Sequence, residues 1–182
     1  MDWYSIFKFL HVASAVIWIG GAFVMTMLGA RAQRARDDRQ MVDVVLQVAW
    51  AGDHIYVPAS IATLVFGVTV ATIGGLWGNL WVSLGLVGVA ITIGLGVGVL
   101  TPRAKKTDAG FKADGATPAV VALSREILTI AKFDMVLLFT VIADMVLKPE
   151  ASDWITLVIM VLVLVAAAGL WLTPLARKPA AA

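Results

Sequence analysis

The chain has 182 residues, 60% hydrophobic and only 14% charged, where soluble globular proteins average about 45–50% and about 25%. So little polar surface cannot cover a water-soluble sphere, and the length leaves no room for a membrane bundle plus a separate soluble domain. The absence of cysteine excludes disulfides, thiolate metal sites and iron–sulfur ligation by this chain alone, while the formal charge of +2 carries meaning only through its distribution.

A membrane-spanning helix needs about 20 predominantly apolar residues. In chain order the predicted spans are residues 4–30, 45–73, 80–100, 120–147 and 154–175. The fold class is therefore an all-α, multi-pass transmembrane bundle of about five helices, one domain over residues 1–182. The first span stops at the charged run RAQRARDDRQ. Ala30-Arg31-Ala32 has the form of a cleavage site, but the acidic start and the long apolar run predict a retained helix. Pro58 falls inside the second span and predicts a kink; Pro102, Pro149 and Pro174 predict helix ends. The third span is glycine-rich: Ala90, Gly94 and Gly98 recur every four residues, with Gly85, Gly88 and Gly96 nearby. Such spacing lets helix backbones approach closely in lipid. It predicts a packing face toward other helices of the chain or, as the alternative, toward a second copy or a partner membrane subunit. The segment TPRAKKTDAGFKADGATP that follows predicts a solvated loop.

Basic residues sort to one side. Arg31, Arg34, Arg36 and Arg39 follow the first span, Arg103, Lys105, Lys106 and Lys112 the third, and Arg177 and Lys178 the fifth; the opposite loops hold only Lys148. The positive-inside rule then predicts the N-terminus outside and the C-terminus cytoplasmic. Trp3, Tyr4, Trp77, Trp81 and Trp154 fall at the predicted outer ends, where amphipathic rings favour the interface. Nothing in the chain points to nucleic acid; its partner is the lipid bilayer.

Ionisable groups inside a bilayer are costly, so each is a candidate site. Counted inward at 1.5 Å per residue, Lys8, His11 and Asp144 share a layer within about 10 Å of the outer ends, and Asp144 is expected to pair with Lys8 or His11. Asp134 lies about 20 Å from its outer end and needs a donor from another helix, with Trp18, Tyr56, Ser60 and Thr92 at compatible depths; Lys132 can snorkel along its stem. Asp53 and His54, with Arg125 and Glu126, predict an ionic cluster at the inner boundary. Two histidines suggest a haem b held by both, but His11 and His54 come out about 20 Å apart along the membrane normal. A haem with His11 as its single protein ligand, or with methionine on the far side, remains open.

The stretches KFLHVASAVIWIGGAFVMTMLGARA, YVPASIATLVFG, GVGVLTPRAKK and KFDMVLLFTVIADMVLKP together resemble an uncharacterised bacterial family of predicted integral membrane proteins, over nearly the whole chain. The resemblance implies a multi-pass protein of the bacterial inner membrane. The first span alone is also similar to the copper-resistance D family and to the haem-dependent protoporphyrinogen oxidase HemJ. In HemJ a first-helix histidine in a comparable context binds haem, and carried over this falls on His11. The HemJ-like pattern continues with a Tyr-Leu-Pro-Arg-type stretch and a second histidine, where this chain reads AFVMTMLGARAQRAR. Met25 and Met27 face different sides of a helix and do not cluster for copper. The enzyme assignment therefore does not transfer. Three readings follow, in order: a non-catalytic membrane component or accessory subunit; a b-type haem protein with His11 as axial ligand; and a proton-coupled carrier using Asp134.

Overall fold

Where the sequence supplies a capping acceptor for free amides, a helix begins on it. In the computed structural model, which describes residues 2–176, Asp2 accepts from the Tyr4 amide at 3.1 Å and opens α1, Trp3–Ala35. The Ser5 hydroxyl bonded to Asp2 holds that carboxyl below the usual carboxylate range, with the Tyr4 amide adding to the effect. Arg36, in the left-handed conformation at φ 57°, closes α1, and Asp37 then caps α2, Asp38–Ala51, through the Gln40 amide. A π-turn over Gly52–Tyr56 joins α2 to α3, Val57–Ile73, in one continuous rod. The next rod repeats the pattern: α4, Leu80–Leu95, a π-turn over Gly96–Leu100, and α5, Thr101–Asp114. Thr117 caps α6, Pro118–Leu147, and α7 runs Trp154–Ala176. Among the described residues there is no strand.

One expectation fails. Pro102 does not end the third helix, and the predicted loop after it is helical through Asp114; the second helix likewise runs on through Pro58. Both prolines stand six residues after a glycine, in GDHIYVP and GVGVLTP. A proline inside an α-helix lacks the N–H for the i−4 carbonyl and clashes with it. Here the preceding turn widens to i→i+5 bonding, with the Val57 amide on the Gly52 carbonyl and the Thr101 amide on the Gly96 carbonyl. The π-turns absorb the misfit and the helices continue. Pro149 does follow the end of α6, where Lys148 turns left-handed at φ 50°; Pro174 lies inside the last turn of α7.

Four of the rods are long and apolar enough to cross a membrane: Trp3–Ala35, Asp38–Ile73, Leu80–Asp114 and Trp154–Leu175. The fifth, α6, is 30 residues long but carries Arg125, Glu126, Lys132, Asp134 and Asp144. It can run through the bundle because α1, α2, α4, α5 and α7 all pack on it. At the basic end, α2 and α5 close with α1 and α6 around Ala32, Met41, Val44, Val45, Ala104, Ile127 and Leu128. In the apolar half α1 lies along α3 and α4 lies along α6, whereas α3 and α4 scarcely touch. Trp18, Ile19, Ala59, Met135 and Leu138 join the two pairs.

The glycine face also differs from expectation. Gly85 and Gly88 are buried under Met145 and Val141 of α6, so they form the packing face within the chain. Ala90, Gly94 and Gly98 are exposed, and a Cβ at Gly94 or Gly98 would meet nothing within 4 Å. Arg177 and Lys178 lie outside the described residues.

Candidate functional site in the apolar cleft

Because α3 and α4 diverge, a cleft of about 580 Å³ opens between the α1–α3 and α4–α6 pairs, within the range of small-molecule sites. Its walls are aliphatic and aromatic, and its polar groups are few: His11, Thr63 and Lys148, with the Trp77 and Trp81 indoles.

His11 is held by backbone. Its Nδ1 lies 2.8 Å from the Thr63 carbonyl oxygen. A carbonyl only accepts, so Nδ1 carries the proton and donates, which leaves Nε2 with its lone pair free. The approach depends on Gly67, one turn further along α3. A Cβ there would lie 2.9 Å from both Cε1 and Nδ1 of His11, so the missing side chain makes the slot for the imidazole. Thr63 is itself fixed, with Oγ1 at 2.7 Å from the Ala59 carbonyl and 3.1 Å from Ser14 Oγ. Nε2 has no hydrogen bond among the described residues, and the ring lines the cleft. Met145 lines the same cleft, and Lys148 stands at one end with Nζ 5.3 Å from the Trp81 ring centre.

The other expected residues do not join this site. Asp144 does not pair with Lys8 or His11: it is 1% exposed, neither oxygen has a hydrogen-bond partner, and it faces the backbone of Gly85 on α4. The reason is helix order, since α6 turns this face to α4 and not to α1. Lys8 is exposed and lies 5.9 Å from the Tyr4 ring centre, one turn back on its own helix. Asp134 does find the expected neighbour in Thr92, but Oδ1 of the acid and Oγ1 of the threonine both lack a bonded partner. Of the other expected donors, the Ser60 hydroxyl bonds the Val57 carbonyl, the Tyr56 ring packs over Gly21, and Trp18 lines the His11 cleft.

The boundary cluster separates into different pairs. Arg125 bonds Asp38 at 3.0 Å and Glu126 lies 4.0 Å from Arg103. Asp53 and His54 are exposed on the π-turn, with the His54 ring stacked on Trp50 and its Nδ1 2.8 Å from the Trp50 carbonyl. His54 does not line the cleft that holds His11.

Sequence reasoning missed Thr63, Gly67, Met145 and Lys148. A signal existed for the first two: Ser60, Thr63 and Gly67 follow at helical spacing, a stripe of small and polar residues inside an apolar span. Lys148 and Met145 carry no such mark, since only the divergence of α3 from α4 brings them to the cleft. Among the described residues no cluster of three or more His, Asp or Glu could hold a metal ion.

A family model described as Predicted integral membrane protein (DUF2269) matches residues 5–149, which covers α1 to α6. No curated protein and no solved structure matches the chain.

Proposed function

We propose, for a chain that belongs to the DUF2269 family of predicted integral membrane proteins, a non-catalytic membrane component that holds an apolar cofactor in the cleft against His11. The observation that carries this reading is the His11 ring itself: Nδ1 donates to a backbone carbonyl, Nε2 has no hydrogen bond among the described residues, and the ring lines an apolar cleft. Protein ligands to metals are habitually held this way by a bond from the second ring nitrogen. Haem b suits the donor set. His11 would ligate it, the aliphatic walls would cover the macrocycle, and Lys148, the one cation lining the cleft among the described residues, would meet its carboxylates. When bound, haem supplies one-electron chemistry. The absorption spectrum of protein purified from haem-replete cells tests this. A Soret band that disappears in His11→Ala is the expected result; a colourless wild-type preparation overturns the haem.

The same reading puts the N-terminus outside and the basic end in the cytoplasm of a bacterial inner membrane. The distribution of Lys and Arg supports that orientation. An accessory component needs a face for its neighbour. The exposed Ala90, Gly94 and Gly98 stripe offers one, to a partner subunit or a second copy. Gly94→Leu, which fills open space within the chain, should break such an association in native mass measurement.

A second reading, a proton-coupled carrier, is favoured by Asp144, neither of whose oxygens is bonded among the described residues, and by Asp134, whose Oδ1 is likewise unbonded, both along the α4–α6 seam. Proton flux in liposomes, abolished by Asp134→Asn, is its test. Equal flux in wild type and variant removes it.

A further inference from the structure

Two further cavities lie along α6, sharing only Phe139 with the lining of the His11 cleft. At the basic end, Gln33, Arg36, Asp38, Arg125 and Thr129 line a pocket of about 510 Å³. Beside it a groove of about 590 Å³ runs between α6 and α7, with Thr26 of α1 at its edge. The two meet at one hydrogen bond. Lys132, which lines the groove, donates to Oε1 of Gln33, which lines the pocket. Gln33 in turn donates to the Arg125 carbonyl at 3.4 Å, and Thr129 donates to the same carbonyl at 2.7 Å.

The charge is lopsided. Arg36 and Arg125 line the pocket, and Lys132 stands at its junction with the groove. Against these three cations the pocket wall offers one carboxylate, Asp38, already bonded to Arg125 at 3.0 Å. Asp37, next in sequence, is engaged with the Gln40 amide. Arg36 is set outside the helix by its left-handed conformation, which turns it away from the α1 axis.

The groove is the opposite in character. Met135, Phe139, Ile159, Met160 and Val163 form its wall, and Trp171 stands among the lining residues near the far end of α7. From Thr156 to Trp171 the α7 wall rises about 22 Å at 1.5 Å per residue, longer than one leaflet of a hydrocarbon core about 30 Å thick. A cationic cup at the membrane boundary that continues into an apolar trough longer than one leaflet matches an amphiphile with an anionic head. A free anion would use only the cup, and a neutral lipid only the trough.

We propose that this composite site binds an anionic phospholipid of the leaflet at the basic end, its phosphate among Arg36, Arg125 and Lys132 and one acyl chain along α7. Basic pockets between membrane helices recognise acidic headgroups by the same electrostatics. Apart from Phe139, which lines both, the site uses none of the residues of the His11 cleft, and its failure leaves that reading untouched.

Native mass spectrometry of the whole protein tests it after delipidation and re-addition of phosphatidylglycerol, phosphatidylcholine or inorganic phosphate. Phosphatidylglycerol should be retained at least tenfold over phosphatidylcholine. Arg36→Asn/Arg125→Gln, which changes two exposed side chains, should reduce that retention at least fivefold. Lys105→Gln/Lys106→Gln, which removes the same charge from exposed positions on α5, should leave it unchanged. Met160→Trp, which fills the groove and alters no charge, should reduce it as well. Equal losses in the two charge variants would mean diffuse surface attraction and overturn the site. So would equal retention of phosphatidylcholine, or a Met160→Trp variant that binds as wild type. Competition by millimolar inorganic phosphate as effective as by the lipid would reassign the cup to a soluble anion.

Discussion

A methyl group at position 67 would sit 2.9 Å from two atoms of the His11 ring, closer than packed carbon atoms come. Gly67→Ala therefore has to push the imidazole off the Thr63 carbonyl. The lost bond costs about 1–3 kcal/mol, against the roughly 1 kcal/mol that alanine gains over glycine in a helix. The expected outcome is a net loss of stability in detergent, measured by thermal or denaturant unfolding. The same exchange at Gly94, where nothing lies within 4 Å, should stabilise or be neutral. Asp144 argues in the other direction. A carboxylate buried without a bonded partner is a cost in the folded state, so Asp144→Asn should leave stability unchanged or raise it by about 1 kcal/mol or more. Asp108→Asn, which removes an exposed pair with Lys112, should change it by under about 1 kcal/mol. A drop of several kcal/mol in Asp144→Asn would reveal a partner for this acid and sink the assignment. Depth counting found the layer that Asp144 occupies, but a residue's neighbour depends on the angular order of helices, which one sequence does not carry.

Among the elements, the two bulged rods show how helix grammar can mislead. Hydrophobic runs and charge located all five helices, and their membrane-side ends agree with the structure to within a few residues at Trp3, Ile73, Leu80, Leu147 and Trp154. The end read from Pro102 and the polarity beyond it was wrong, unlike that before Pro149: α5 is polar and begins at a Thr-Pro dipeptide, yet it is helical because Ala104 and its neighbours pack into the basic-end core. Tertiary packing overrode a local stop signal. A π-turn amounts to one surplus residue in an α-helix, so its removal should restore regular bonding without rotating either flank. Deletion of Ile55 combined with Pro58→Ala, which returns the missing amide, should give a folded, monodisperse protein. Deletion of Val65 from the regular part of α3 turns one flank by about 100° relative to the other and moves Ser60 and Thr63 off the α1 interface. Ile55 and Val65 are both exposed, so loss of a lipid contact does not distinguish the two deletions. Size-exclusion chromatography and unfolding of the two deletions in parallel make the comparison; similar behaviour of the two would remove the surplus-residue account.

At the scale of the whole molecule, stability and openness occupy different ends. The basic end is closed by four helices around Met41, Val45 and Leu128, each 3% exposed or less. The other half holds two helix pairs that lean apart around the His11 cleft. Cavity cost depends on whether removed atoms leave a void in a filled space or merely enlarge an existing one. Met41→Ala should cost about 2–5 kcal/mol, because its surroundings are held from several sides and cannot collapse. Leu86→Ala, on the cleft wall, should cost about 1 kcal/mol or less, since its side chain already borders open space. The difference should reverse in meaning when a ligand is present. A molecule that fills the cleft gains contacts with Leu86 and stabilises only the folded state, so Leu86→Ala should weaken its effect on melting while Met41→Ala lowers the baseline and leaves the ligand-induced shift intact. Melting curves of both variants, with and without added haem, read this directly. Equal costs in the ligand-free protein would show that the cleft closes in solution and that the bundle is packed evenly along its length.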